Sequence, residues 1–432
     1  MSGIKKLLRR LTPSPLLSAY HFSLALLGAL VYGFPSRRLT VIGITGTDGK
    51  SSTAEYINSI FETAGHKTAM SNSIRVKIDT HSLPSTGRSM PGRFFIQRFF
   101  RRALRSDCTV AIVEMTSEGV QQYRHRGIEL DALVFTNLSP EHIESHGSFA
   151  AYADAKFEIG RALERSGKRP RIIVANGDDS QGARYLALRV EKRRAFSLNK
   201  QAPWKADELG GTFTFDGTEM SVKLGGQFYI KNALAAAEVA HALGIGADAI
   251  QKGIARITNI PGRMDRIDAG QEFAVVVDYA LTPEALENLY KTFGSAKKIC
   301  VFGCTGGGRD KWKRPVLGKL AETYCETVIV TNDVAYDENP EKIAGDIARG
   351  MSKKPEIILD RRAAISRALE IALSLSKGAP LDKARGNQDD VVVLITGMGI
   401  DTEISAPDGK KCPWNEGEVV REELGKILKR NV

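Results

Sequence analysis

Lys50 and Ser51 close a glycine-rich run, Gly43-Ile44-Thr45-Gly46-Thr47-Asp48-Gly49-Lys50-Ser51-Ser52. A lysine and a hydroxyl directly behind closely spaced glycines suit one task, holding a nucleoside triphosphate. Backbone N–H groups cradle the phosphate oxygens, the ammonium neutralises them, and the Ser51 hydroxyl can hold Mg²⁺. The strict phosphate-loop pattern would need glycine at position 44, which is isoleucine here. A second group of matching chemistry is Glu114, at the end of the apolar run Cys108-Thr109-Val110-Ala111-Ile112-Val113. In phosphate-loop folds a carboxylate at such a strand end holds or orients Mg²⁺. The bland alternatives are a glycine turn with an incidental lysine and a surface glutamate. The ordered context on both sides argues against them.

That context is read from hydrophobic spacing. Leu39 to Ile44 is a short, β-branched apolar run, as expected for a buried parallel strand. From Ser51 to Thr63, Ala54, Ile57, Ile60 and Phe61 recur at helical spacing. Strand, glycine turn and helix is the setting a phosphate loop requires. From Leu39 to about Pro261 strands and helices alternate, with buried strands at Cys108–Glu114 and Ala132–Phe135, which predicts a mostly parallel sheet covered on both faces. A second alternating unit follows, with strands at Phe273–Val277, near Lys298, at Thr327–Val330 and at Val391–Ile395. The predicted fold class is therefore α/β: a central phosphate-loop ATPase domain on a mostly parallel sheet, plus a C-terminal Rossmann-like α/β domain. The expected boundaries are a basic and apolar segment at 1–38, the ATP-binding domain at 39–262 and the C-terminal domain at 263–432.

The length of 432 residues calls for two or three domains. The five cysteines are scattered with no C-x-x-C pair, which gives neither a disulfide framework nor a zinc site and fits a reduced cytoplasm. A net charge of +11 would suit nucleic acid, an anionic membrane or phosphorylated small molecules. No nucleic-acid-binding signature is present, so phosphorylated ligands are the economical explanation. Residues 1–15 carry Lys5, Lys6, Arg9 and Arg10, and the apolar run Leu16 to Phe34 reaches the lower range of a membrane span. Two readings of 16–34 stay open: a soluble or peripherally attached helix, or a membrane anchor. Either leaves the ATP site on the cytoplasmic side. Between Arg88 and Arg105, six arginines interleave with Phe94, Phe95, Phe99 and Phe100, as in an amphipathic helix with a basic outer face. Ser376 to Gln388 is polar and reads as a surface loop.

The order G-I-T-G-T-D-G-K-S-S resembles the loop of the Mur ligases and folylpolyglutamate synthases, which are ATP-dependent amide-forming enzymes. The segment F-T-N-L-S-P-E-H-I-E-S-H-G, then A-Y-A-D-A-K-F-E-I, resembles the Mur ligases of the UDP-N-acetylmuramoyl-tripeptide synthetase type. V-A-N-G-D-D, G-Q-F-Y-I-K-N-A-L-A-A-A, P-G-R-M-D-R and G-C-T-G-G-G-R-D-K-W-K-R-P extend the match from Leu39 to the C-terminus. The resemblance implies ATP and Mg²⁺ as cofactors. It implies that Gly46 to Ser52 hold the phosphates, with Asn232 at the adenine, Arg263 reaching a phosphate and Asp278 nearby. Ser51, Glu114, His142 and a carbamylated Lys156 would be the metal set; a lone helical lysine has no such role on bare physics. Arg309, Lys311, Asp333 and Asp401 would meet the substrates.

The implied reaction joins an amino acid to a nucleotide-sugar peptide or related anionic acceptor through an acyl phosphate, in peptidoglycan precursor synthesis. Members of this type carry an N-terminal domain that grips UDP, whereas 38 residues precede the ATP strand here. A lipid-linked or shorter acceptor, or a partner protein, could take its place. The family's D-Y-A-H-T-P reads D-Y-A-L-T-P with Leu281 for histidine, its D-N-P-R falls on Asp333 to Tyr336 without the arginine, and its G-K-G-H-E reads G-M-G-I-D. The added amino acid stays open. Two other readings are a different ligase of the superfamily, of folylpolyglutamate synthase or MurT type, and a nucleotide-binding, membrane-associated scaffold.

Overall fold

The computed structural model describes residues 14–84, 89–200, 203–376, 390–405 and 411–430. Arg88, the basic residues at 5–10 and most of the 376–388 loop lie outside them.

The first sheet has eight strands: β1 (Thr40–Thr45), β2 (Thr68–Ser71), β3 (Arg75–Ile78), β4 (His81–Pro84), β5 (Val110–Glu114), β6 (Ala132–Phe135), β7 (Ile172–Asn176) and β8 (Lys192–Phe196). Their order is β4-β3-β2-β5-β1-β6-β7-β8, parallel from β2 to β8 with an antiparallel β3–β4 edge. β1 is central, and successive side chains alternate between two cores as strand geometry dictates. Val41 enters the layer holding helices Arg93–Arg105 and Phe149–Glu164, while Ile42 and Ile44 enter the layer holding Lys50–Thr63, Gln227–Ala242 and Ala247–Ala255. The expected strand, turn and helix around Lys50 thus forms.

A small antiparallel sheet of β9 (Trp204–Ala206), β10 (Gly211–Phe215) and β11 (Thr218–Val222) seals the second layer with Phe213, Phe215, Met220 and Val222. These short strands were not anticipated from the sequence. The other large sheet orders β12 (Asp265–Arg266), β13 (Ala274–Asp278), β14 (Lys297–Phe302), β15 (Thr327–Val330), β16 (Glu356–Ile357) and β17 (Val391–Thr396) as β12-β13-β17-β14-β15-β16. It is parallel except for β12, as the sequence reading expected of a Rossmann-like unit. A last hairpin pairs β18 (Glu403–Ser405) with β19 (Lys411–Pro413).

One expectation changes. Cys300 at the β14 core and Cys325 just before the neighbouring β15 form a disulfide with Cα atoms 6.2 Å apart. Their spacing carries no motif because the pairing is made by strand neighbourhood. Cys108, Cys304 and Cys412 are free. The apolar N-terminal run forms a helix, Ser14–Val31, that lies along helix Arg93–Arg105. Among the described residues no helix is long and apolar enough to cross a membrane.

Candidate active site

The order of the first sheet reverses direction at β1, which has β5 on one side and β6 on the other. Loops leaving the carboxyl ends of parallel strands on either side of such a point form a crevice. The β1 loop, Glu114 at the end of β5 and Thr136-Asn137 after β6 therefore meet there. Loops from the carboxyl ends of β13, β14 and β15 in the other sheet close over the same crevice. Residues that follow β1, β5, β6, β13, β14 and β15 line a cleft of about 1710 Å³; Glu114, Thr136 and Asn137 are not among its lining residues.

The β1 loop is built around two glycines with left-handed or extended positive φ. A side-chain carbon on Gly46 (φ 150°) would sit 1.9 Å from Thr136 Oγ1, and one on Gly49 (φ 80°) would sit 2.4 Å from Asn232 Oδ1. Asn137 Oδ1 accepts the N–H of Asp48 (2.8 Å), and Thr136 Oγ1 donates to the Asp48 carbonyl (2.7 Å). Helix Lys50–Thr63 starts at once behind Gly49, so its free N–H groups and positive dipole end point into the cleft. Lys50 Nζ donates to the Thr47 carbonyl at 2.7 Å. Thr47 to Ser52 all line the cleft.

Lys156 is the reverse of a solvated helical lysine. Helix Phe149–Glu164 carries it under the loop, where it is 3% exposed and donates to the Gly46 carbonyl. Burial, then the charge of Lys50, holds its ammonium well below the ordinary lysine range. Its Nζ lies 4.9 Å from the Tyr152 ring centre, and Tyr152 in turn shares a hydrogen bond with Thr47.

Glu114 is buried; one oxygen accepts from Ser73 Oγ (2.8 Å) and the other has no hydrogen-bond partner. A buried carboxylate oxygen without a donor fits a cation-binding role. His142, in the left-handed region at φ 56°, lines the cleft with Nδ1 3.8 Å from Glu118. Burial lowers its pKa and so favours the neutral imidazole. Among the described residues no three His, Cys, Asp or Glu side chains gather as a metal cluster.

The second sheet contributes Arg263 and Arg309 to the cleft. The Arg263 guanidinium lies 4.6 Å over the Tyr279 ring with its Nε unpartnered. Asp278 does not line the cleft; it accepts the Met264 N–H (2.7 Å) and so fixes the turn that presents Arg263. Asn232 likewise packs beneath Gly49 rather than facing the cleft. Arg309 lies 5.7 Å from the Tyr336 ring centre, whereas the Lys311 ammonium points to Glu338 at 3.8 Å. Asp333 is buried with Oδ2 unpartnered. The Asp401 carboxyl is pushed up to about 7, by burial first and then by the neighbouring charge of Asp333.

Several contributors were missed from the sequence. Asp310 accepts the N–H groups of His142 (2.6 Å) and Ile143 (2.8 Å), and Glu144 accepts those of Asp310 (2.6 Å) and Lys311 (2.8 Å). Buried Lys313 donates to Glu141 at 3.1 Å, and Thr282 donates to Asp48 at 3.0 Å. Arg361, paired with Glu416 and both fully buried, donates to the carbonyls of Asn332 (3.1 Å) and Thr396 (2.8 Å). It thereby ties together the loops that carry Asp333 and Asp401.

The family model of the Mur ligase middle domain matches residues 44–240, and that of the Mur ligase glutamate ligase domain matches 262–399. The UDP-N-acetylmuramoyl-L-alanyl-D-glutamate--2,6-diaminopimelate ligase of Syntrophomonas wolfei is 34% identical over 366 residues, 81% of this chain and 74% of the relative. Its counterpart in Aquifex aeolicus is 33% identical over 406 residues, 91% of this chain and 79% of the relative. A solved ligase of the same name aligns with a TM-score of 0.58 at 26% identity, over 90% of this chain and 79% of the other. The folylpolyglutamate synthase of Mycobacterium tuberculosis, complexed with ADP and AMPPCP, aligns with a TM-score of 0.69 at 18% identity, over 89% of this chain and 93% of the other, which shows a shared fold.

Proposed function

The chain belongs to the Mur ligase family, and from that premise we propose that it is a cytoplasmic ATP-dependent ligase joining an amino acid to a peptidoglycan precursor. The acceptor class is a UDP-N-acetylmuramoyl-peptide. The reading divides the chain into a segment at 1–38, an ATP-binding domain at 39–262 and a C-terminal domain at 263–432. One observation carries it above the others: a phosphate loop that carries Lys50, with Lys156 and Glu114 buried around it, opens into a single cleft shared with Arg263 and Arg309.

The reaction runs in two displacements. A carboxylate oxygen of the acceptor attacks the γ-phosphorus of ATP, the bond to the β-bridging oxygen breaks and ADP leaves. The amino nitrogen of the incoming amino acid then attacks the acyl carbon. Inorganic phosphate departs with the former carboxylate oxygen, and the amine gives up its proton. Two anions must approach in the first displacement, so charge neutralisation dominates the barrier. Lys50 and the helix N-terminus behind it bind the β and γ phosphates, and Arg263 reaches a phosphate from the other sheet.

Ser51, Glu114, His142 and Lys156 would hold Mg²⁺, which supplies further charge neutralisation on the transferring phosphoryl group. The lowered basicity of Lys156 suits carbamylation, because only the uncharged amine adds to CO₂. Arg309 meets a substrate carboxylate, and Asp333 with Asp401 draws the ammonium of the amino acid. Loops carrying Leu281, Thr282 and Tyr336 exclude water that would hydrolyse the acyl phosphate.

The test is phosphate release from MgATP by the full chain, with UDP-N-acetylmuramoyl-dipeptide screened against a panel of amino acids. Release that requires both partners supports the reading and names the amino acid. Silence with every acceptor, from protein that binds ATP, overturns it.

A further inference from the structure

Helix Ser14–Val31 is packed inside out. Its inner face is made of small residues: Ala25, Gly28 and Ala29 are buried, with Gly28 against the Arg93 carbonyl and Ala29 against Gly127. The large apolar side chains of its last two turns point away from the protein. Leu26 is 41% exposed, Leu27 47%, Leu30 65% and Val31 62%. A surface helix of a soluble protein presents charged residues outward, yet Ser14–Val31 carries no Asp, Glu, Lys or Arg at all. Nothing in the described residues covers this outer face.

Beside it runs helix Arg93–Arg105, whose pattern is ordinary. Ile96, Phe99, Phe100 and Ala103 are buried, and Arg98, Arg102 and Arg105 are exposed. With Arg101 they border a groove of about 630 Å³ whose other wall is Leu30 to Gly33. None of these four arginines has a carboxylate partner among the described residues, although ion pairs are plentiful elsewhere on the surface. An uncovered apolar face next to a row of unneutralised guanidinium groups has a definite complement: an apolar slab edged with phosphates.

We propose that this face docks on the anionic surface of a phospholipid bilayer. The outer leucines enter the acyl boundary, and Arg98, Arg101, Arg102 and Arg105 meet headgroup phosphates. The helix lies on the bilayer and does not span it. Its first turns also line the cleft through Leu16, Leu17, Tyr20 and His21, so the bilayer would border the cleft. The proposal stands on the surface alone and does not depend on the ligase reading.

The test is co-sedimentation of the full chain with vesicles of phosphatidylcholine alone or mixed with phosphatidylglycerol. Binding to the mixed vesicles, at least tenfold above phosphatidylcholine and weakened by salt, is expected. Two triple variants, Arg98→Glu/Arg102→Glu/Arg105→Glu and Leu26→Ser/Leu27→Ser/Leu30→Ser, should each lose that binding at least tenfold while keeping the wild-type melting temperature and ATP binding. Equal recovery with both vesicle types, or no recovery with either, overturns the proposal. So does a dimer by light scattering that the leucine variant converts to monomer, because a second copy would then cover the face.

Discussion

Asp310 and Glu144 each hold the backbone of the other's loop. Asp310 accepts the N–H groups of His142 and Ile143, and Glu144 accepts those of Asp310 and Lys311, all at 2.6–2.8 Å. The loop after β6 and the loop after β14 are thereby locked across the cleft, with His142 on one side and Arg309 on the other. Hydrogen bonds to charged groups contribute about 1.5–3 kcal/mol each. Asp310→Ala should leave ATP affinity within a fewfold of wild type and lower kcat by roughly tenfold or more, because the phosphate loop is untouched but closure is weakened. Steady-state kinetics beside equilibrium nucleotide binding separate the two. A loss confined to ATP affinity would show that the lock serves another purpose.

Lys50→Ala should lower turnover by roughly 10²–10³-fold, the usual effect of removing one preorganised charge from a transition state. Among the described residues the side chain bonds only the Thr47 carbonyl, so the melting temperature should hardly move.

Gly49→Ala should act through structure. Its added carbon would meet Asn232 Oδ1 at 2.4 Å, and φ of 80° is unfavourable for any L residue. ATP binding should be lost, and a detectable fall in melting temperature should accompany it. Gly65→Ala, at φ 87° in open space, is the control for the conformational part alone.

Glu416→Gln should destabilise the chain by roughly 3–5 kcal/mol, because it strands the guanidinium of fully buried Arg361. Urea denaturation reads this directly. The variant should also weaken amino-acid binding, since Arg361 ties the loops carrying Asp333 and Asp401.

Asp401 predicts a pH dependence. Its ordinary carboxyl value is 3.8, and the folded chain raises it to about 7. The folded state therefore keeps a proton that the unfolded state releases above 3.8. The stability this confers is complete below 3.8 and is lost as pH rises through about 7. Melting temperatures of wild type minus Asp401→Asn should fall across that window; a flat difference would contradict the assignment.

Much of the first sheet was legible because its signals are local. The β1 strand, the glycine turn and helix Lys50–Thr63 are adjacent in sequence, and Glu114 sits at the end of an uninterrupted apolar run. Lys156 was not legible from physics, since nothing within its helix reveals that the loop carrying Gly46 lies over it; only the resemblance in register pointed there. The Asp310–Glu144 lock and the Asp48–Thr282 bond were invisible because their partners lie far apart in sequence and meet only through the packing of two sheets. Cys300 and Cys325 were hidden for a related reason, since only the pairing of β14 with β15 brings them together. The N-terminal run was read correctly as helical, but which side its small residues take becomes visible only against Gly127 and Arg93.

The central claim is that a carboxylate of the acceptor becomes an acyl phosphate. Oxygen-18 placed in that carboxylate tests it most directly, with mass analysis of the phosphate released in the presence of MgATP and the amino acid. The account predicts one labelled oxygen in each phosphate released. Phosphate free of label, formed while ATP is consumed at the full rate, would mean hydrolysis by water and would contradict it.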